Sequence, residues 1–291
     1  MFIDSIFNEL GIDRVIHAGG TKTWYGGTSL SPAVLNAMNQ STRVFCNIED
    51  LNKSIGRYIA DTTKSEAGMV TSGCSSSLVM AATACLLKKI GLEKHLPNKN
   101  YFSYNVAVQR IHFGDYTYLL KMPCLSINEY GTVNHTSISD LMECIDNNTV
   151  ATYLLFGPGI NQSSVSIEVI KKETEKYNIP LIVNAAAMIP PIDNLSFFIN
   201  QGADLVCMSG GKALGGPQNT GLLFGRKDLV ELARRNFNPN QSIGRTMKVS
   251  KESMIGLYIA LKEYVKYGDT RMYKKCLEVS KKIYQALKIS K

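Results

Sequence analysis

What the chain has little of narrows its class first. Charged side chains make up only 19% of the 291 residues, against 45% hydrophobic ones, so the chain can bury a large core, as one large domain or a domain with a smaller lobe. No uninterrupted apolar segment reaches the roughly 20 residues that a bilayer-spanning helix needs. The start "MFIDSIFNELGIDR" lacks a basic region followed by an apolar one. A soluble, cytoplasmic protein without a membrane partner is the expectation. The seven cysteines, Cys46, Cys74, Cys85, Cys124, Cys144, Cys207 and Cys276, are scattered and show neither a Cys-x-x-Cys pair nor a cysteine–histidine metal spacing. They read as small, mostly buried apolar residues, with no metal expected. Positive charge is in excess, formally +8. It lies mostly in helix-like runs such as "IEVIKKETEKY" and "KKCLEVSKKIYQALKISK", which are ordinarily solvated faces, so nucleic acid is not expected as a partner.

What is present is an alternation of apolar runs and helical patterns. Residues 67–71, 149–156, 180–184, 203–208 and 221–225 read as strands, and 75–90, 164–177 and 192–202 as helices. Strands separated by helix-length segments imply right-handed crossovers and a largely parallel sheet covered on both faces, an α/β fold. Ligands of such sheets sit beyond the carboxyl ends of the strands. After residues 67–71 come Ser72, Gly73 and Cys74, then three serines opening a helix. Free N–H groups, the positive end of the helix dipole and nearby hydroxyls suit a phosphate there. The same residues also suit an ordinary helix start capped by Ser72 or Ser75. The Gly-Lys-Ser/Thr of a nucleotide P-loop is missing from this loop, which argues against a triphosphate.

Lys212 lies in "LVCMSGGKALGGPQNTGLLFG", a glycine-rich loop between two apolar runs, and Asn184 ends another run. Both can face the cavity that holds the phosphate. An amine desolvated in an apolar crevice is more often neutral and nucleophilic, which suits Schiff-base chemistry with a phosphorylated aldehyde. Pyridoxal phosphate is the aldehyde that fits, with the flanking glycines leaving room for its ring.

Four stretches, "RVIHAGGTKTWYGGTSLSPAVLNAM", "RVFCNIEDLNKSIGRYIADTTKSEAGMVTSGCSSS", "IVNAAAMIPPIDNLSFFINQGADLVCMSGGKALGGPQNTGLLFGRKDLV" and "SIGRTMKVSKESMIGLYIALKEY", resemble the fold-type-I pyridoxal-phosphate enzymes related to bacterial selenocysteine synthase and D-glucosaminate-6-phosphate ammonia-lyase. The resemblance implies an aspartate-aminotransferase-like large domain with a mainly parallel sheet. It implies that Lys212 carries the cofactor, that Ser72, Gly73, Cys74 and Ser209 hold its phosphate, and that Asn184 sits against the pyridine nitrogen. Gln109 and His112 fall where the family packs residues on the ring or against substrate; His112 also suits an imidazole satisfied at a strand end. Thr21 and Gly27, in "TKTWYGGTSLS", and Arg245, in "IGRTMK", would line the entrance, although Arg245 taken alone reads as a surface residue.

Three departures from the family qualify these expectations. Asn184 stands where aspartate is usual. The small C-terminal domain is expected to be truncated or missing, and so is the N-terminal tRNA-binding segment of selenocysteine synthase. The expected organisation is an N-terminal arm over 1–30, a cofactor-binding domain over 31–245 and a C-terminal helical segment over 246–291. The expected function is a lyase or transferase acting on a small amine-bearing substrate, an amino acid or amino-sugar acid, by elimination or β-replacement rather than transamination. A homodimer or higher homo-oligomer is expected by analogy. The alternatives are an aminoacyl-tRNA transferase like selenocysteine synthase, or a catalytically impaired homologue serving as a partner subunit.

Overall fold

The structure, a computed structural model, describes residues 2–95, 100–157 and 160–289. Among these residues seven strands are interspersed with helices: β1 (Ala67–Thr71), β2 (Asn105–Gln109), β3 (Ser126–Tyr130), β4 (Thr149–Leu155), β5 (Leu181–Asn184), β6 (Leu205–Ser209) and β7 (Gly221–Gly225). The helices are α1 (Phe2–Glu9), α2 (Pro32–Ser41), α3 (Ile48–Thr63), α4 (Cys74–Ile90), α5 (Tyr118–Lys121), α6 (Ile138–Cys144), α7 (Ile167–Thr174), α8 (Asn194–Asn200), α9 (Lys227–Asn236) and α10 (Lys251–Ile289). The strands form one sheet in the order β1-β7-β6-β5-β4-β2-β3. Five of them run parallel, from β6 to β3, and β7 runs antiparallel to both β1 and β6. The expected α/β architecture with a mainly parallel sheet is what the chain adopts.

Apart from the edge strand β3, the strands are almost wholly buried, as runs of Val, Leu and Ile without alternation require when helices cover both faces. The central helix α4 buries every residue from Ser76 to Leu87 and ends at Gly91 in the left-handed conformation. Its composition, "CSSSLVMAATACLLKKI", combines strong helix formers with no outward polar face until the last turn. Other helix starts are fixed locally: Asn47 accepts from the Glu49 and Asp50 N–H groups at α3, and Ser137 and Asp140 form a reciprocal capping box at α6.

Several boundaries move from the expected ones. The 164–177 segment is helical only over Ile167–Thr174, capped by Ser166 and followed by a 3₁₀ turn, and the 192–202 helix shortens to Asn194–Asn200. Strands β2 and β3 were not anticipated. Of the cysteines, all free, only Cys85 and Cys207 are fully buried, while Cys46 and Cys276 are exposed. The first half of α10 packs on the rest of the chain: Met254, Leu257, Leu261 and Tyr264 belong to the same core as the sheet. The helix then breaks at Gly268 (φ 51, ψ −153), and beyond it Tyr273, Leu277, Ile283, Tyr284 and Leu287 face outward. Among the described residues no helix is long and apolar enough to cross a membrane.

Candidate active site

The carboxyl edge of the sheet gathers the chemistry-bearing residues because the topology stacks strand ends there. Thr71 of β1 and Ser209 of β6 both pair with Gly221 of β7. The turn after β1, the end of β6 and the start of β7 are therefore neighbours. A Cβ added at Gly221 would lie 2.4 Å from the Gly73 carbonyl carbon and 2.7 Å from the Cys74 nitrogen, so only glycine lets the three chains meet. Gly73 itself, at φ 97 and ψ 162, occupies a region that residues with a side chain avoid. It is the N-cap of α4 and makes no side-chain cap hydrogen bond. The helix therefore begins with N–H groups that no side chain occupies. Beside them the Ser76 hydroxyl is buried and has no partner among the described residues, and Ser72 and Ser209 are half-buried. Neither Ser72 nor Ser75 caps the helix, whose N-cap is Gly73, so the ordinary capped start is not what forms. An uncapped seventeen-residue helix, with hydroxyls around its first turn, has the chemistry to cradle a dianion.

Lys212 lies three residues beyond β6, in a loop held by its own backbone. Gly210 N–H donates to Thr220 O at 2.9 Å, Gly216 N–H to Gly210 O at 2.9 Å and Gly215 N–H to Lys212 O at 3.0 Å. Among the described residues no carboxylate is paired with Lys212. Its charge reaches Cys74: burial pushes that thiol up to about 12, and the lysine ammonium offsets part of the effect. Cys74 in turn donates from Sγ to Asn184 Oδ1 at 3.6 Å. Asn184 Oδ1 also accepts the Ala186 N–H at 3.2 Å, and Asn184 Nδ2 donates to the Tyr153 hydroxyl at 3.0 Å. Cys74, at the start of α4, thus hydrogen-bonds the amide of Asn184 and lies within reach of the charge of Lys212.

The remaining expected residues are distributed around this centre. His112 lies in a 3₁₀ turn after β2, at the same sheet edge but two strands from β5. It is 1% exposed, and neither ring nitrogen has a partner among the described residues. Burial lowers its pKa to about 4, so the ring is neutral. It is therefore not the satisfied strand-end imidazole that was one of the two readings. Gln109 is also buried, but its amide clamps the chain, accepting from Val165 N–H at 3.0 Å and donating to Val165 O at 3.5 Å. Thr21 and Lys212 line one cleft of ≈ 770 Å³, together with His17, Glu263 and Tyr264. Gly27 packs on the glycine-rich loop itself, where an added Cβ would meet Gly211 O at 3.0 Å. Arg245 does not line the cleft. It follows Gly244, which packs against Asn236, Phe237 and Met80.

Tyr153 and Gly221 were not singled out from the sequence. Tyr153 could have been flagged as the one hydroxyl-bearing ring in the apolar run "TVATYLLF". Gly221 carries no comparable signal, because its neighbours come from distant segments.

These residues fit pyridoxal phosphate: an uncapped helix start for the phosphate, an unpaired lysine amine, and an amide with one N–H hydrogen free. A family model described as SelA, L-seryl-tRNA selenium transferase, matches residues 118–288, more than half of the chain. The chain belongs to the SelA family. Within curated relatives it is 30% identical over 266 residues to a 5'-C-glycyluridine monooxygenase-decarboxylase of a Streptomyces species, covering 89% of this chain and 65% of that protein. It is 29% identical over 269 residues to the D-glucosaminate-6-phosphate ammonia lyase of Salmonella typhimurium, covering 89% of this chain and 70% of the relative. A solved structure of D-glucosaminate-6-phosphate ammonia-lyase superposes with a TM-score of 0.81 at 29% identity, over 90% of this chain and 70% of that one. The fold is that of the type-I pyridoxal-phosphate enzymes. The chain spans 65% and 70% of the lengths of the two curated relatives.

Proposed function

We propose that the protein is a pyridoxal-phosphate enzyme acting on a small amine-bearing substrate, an amino acid or amino-sugar acid, by elimination or β-replacement. The observation that carries this reading is the convergence of Lys212, the uncapped start of α4 and Asn184 around Cys74. The relatives' names include an ammonia lyase acting on an amino-sugar acid phosphate, which supports the substrate class. When bound, the cofactor withdraws electrons from the bonds at the amine-bearing carbon.

In this reading the N–H groups at Cys74 and Ser75 hold the phosphate, with Ser72 and Ser209 adding hydroxyl donors. Lys212 Nζ would hold the cofactor through its aldehyde and, as the acid and base of the site, would take the proton from the amine-bearing carbon and return one to the leaving group. Asn184 meets the ring nitrogen with a neutral group and no negative charge. A neutral partner would lessen the electron withdrawal that the bound group supplies, which would favour departure of a β-substituent over amino transfer. His112, neutral and buried, offers a flat face and an acceptor nitrogen at the same sheet edge. Thr21 and Gly27 belong to the entrance, and Arg245 would serve as an anion contact in an assembled oligomer rather than in the cleft of its own chain.

We further propose that two copies associate and that residues 1–30 act as an arm on a large domain, 31–245, followed by the helical segment. Supporting this, Ile16 and Trp24 within the arm are 95% and 93% exposed, and Phe45, just before α3, is 97% exposed, which suits cover by a second copy.

Borohydride reduction in the presence of pyridoxal phosphate, followed by peptide mapping, tests the reading. The pyridoxyl group is expected on Lys212. Its appearance on another lysine, or on none with cofactor in excess, overturns the assignment. The family match also supports a second reading, an enzyme acting on aminoacyl-tRNA. Submicromolar, strongly salt-dependent binding of aminoacyl-tRNA would favour it.

A further inference from the structure

The Asn184 side chain is 2% exposed, and each of its polar atoms has defined neighbours. Ala186 N–H can only donate, so the atom 3.2 Å from it is the carbonyl oxygen, Oδ1. With the amide turned over, two N–H donors would face each other in a buried site. Cys74 adds a second donor to the same oxygen, at 3.6 Å. The thiol keeps its proton, because burial pushes its pKa up to about 12. Both acceptor positions of Oδ1 are thereby taken. On the other side, Nδ2 gives one of its two hydrogens to the Tyr153 hydroxyl at 3.0 Å. Tyr153, on the interior strand β4, is fully buried, and burial keeps its phenol protonated and neutral. Among the described residues, the one hydrogen-bonding capacity that Asn184 retains is the second Nδ2 hydrogen, a donor.

We propose that Tyr153 is a positioning residue. Together with the Ala186 N–H it fixes the Asn184 amide with its NH₂ end toward the cofactor's ring nitrogen, which is therefore held as an unprotonated hydrogen-bond acceptor. This rests on the functional reading above, in which that nitrogen faces Asn184. A protonated ring nitrogen would need an acceptor, and Oδ1 has none of its capacity left. An aspartate at 184 would reverse the arrangement: its second oxygen would accept the Tyr153 O–H and leave a charged acceptor for a ring N–H. Tyr153 can serve in either role because a hydroxyl both donates and accepts. The residue type at 184 therefore sets the protonation of the ring, and Tyr153 holds whichever group is there in line.

The test is nitrogen-15 magnetic resonance of the protein loaded with cofactor labelled at the ring nitrogen, with borohydride labelling of Lys212 run on every sample. For the natural sequence the signal is expected in the unprotonated, hydrogen-bonded range and constant across neutral pH. Asn184→Asp should move it to the protonated range. Tyr153→Phe should leave it unprotonated but shifted toward free, unbonded pyridine, with cofactor dissociation about three- to tenfold faster from loss of one neutral hydrogen bond. A protonated nitrogen in the natural protein overturns the inference, as does a Tyr153→Phe signal identical to it. If the Phe variant does not fold, the natural protein and Asn184→Asp decide by themselves, since equal protonation in both refutes the proposal. Absence of the pyridoxyl label on Lys212 overturns the functional reading instead, so the two failures are distinct.

Discussion

Gly221→Ala probes the anion cradle without removing any polar group. The added Cβ would stand 2.4 Å from the Gly73 carbonyl carbon and 2.7 Å from the Cys74 nitrogen. Carbon contacts settle near roughly 3.5 Å, so the Gly73–Cys74 backbone must retreat by about 1 Å. Overpacking of this kind costs about 1–3 kcal/mol of stability. The larger consequence falls on binding, because the displaced backbone carries the N–H groups proposed to hold the phosphate. A hydrogen bond to a charged group contributes about 1.5–3 kcal/mol, and losing one raises the dissociation constant about ten- to a hundredfold. The measurement is a titration of cofactor-free protein with pyridoxal phosphate by absorbance, paired with a thermal melt. Gly91→Ala is the control: it sits at φ 68 at the far end of the same helix with no atom within 4 Å of the added Cβ. It should cost about 1–2 kcal/mol through strain and leave cofactor affinity unchanged. A Gly221→Ala protein that melts cooperatively and keeps the natural dissociation constant would refute the placement of the phosphate at α4.

Further outcomes follow from the same geometry. Ser209→Ala should weaken cofactor binding by about tenfold, as expected for a hydroxyl donor to a charged oxygen, and unchanged affinity in both Ser209→Ala and Ser72→Ala would remove the serines from the cradle. His112 has a folded pKa of about 4, below its ordinary 6.5. Between those values the unfolded chain binds a proton that the folded chain does not, so this stability is complete above about pH 6.5 and is lost as pH falls toward about 4, to a limit of roughly 3 kcal/mol. His112→Phe should flatten the melting temperature of cofactor-free protein over that interval, and an unaltered pH profile would show that the ring is not held neutral. With amino acids bearing β-leaving groups, the natural protein should release elimination or replacement products with little keto acid from amino transfer, as read by product analysis. Dominant transamination would contradict the argument from the uncharged Asn184.

Some of this was legible in residues 67–71 and 221–225, whose apolar runs became strands with those same bounds. The glycine-rich setting of Lys212 was also local information, because a short loop closed by its own backbone needs glycines wherever it is placed. The uncapped start of α4 could be narrowed but not settled from sequence, since Ser72 and Ser75 are both competent caps and only the backbone angles at Gly73 exclude them. Strand β3, "SINEY", gave no signal: it is a half-exposed edge strand with mixed polarity, and it is a strand because β2 pairs with it. The direction of β7 was equally invisible, because a buried apolar run reads the same in either orientation, and direction is decided by the connection that returns it between β1 and β6. That antiparallel insertion brings Gly221 against Gly73 and sets Ser209 beside the start of α4. The choice of Tyr153 as partner for Asn184 likewise depends on β4 lying next to β5. Residue types fixed which groups could do chemistry; long-range strand pairing, which depends on burial shared between distant segments, decided which of them meet.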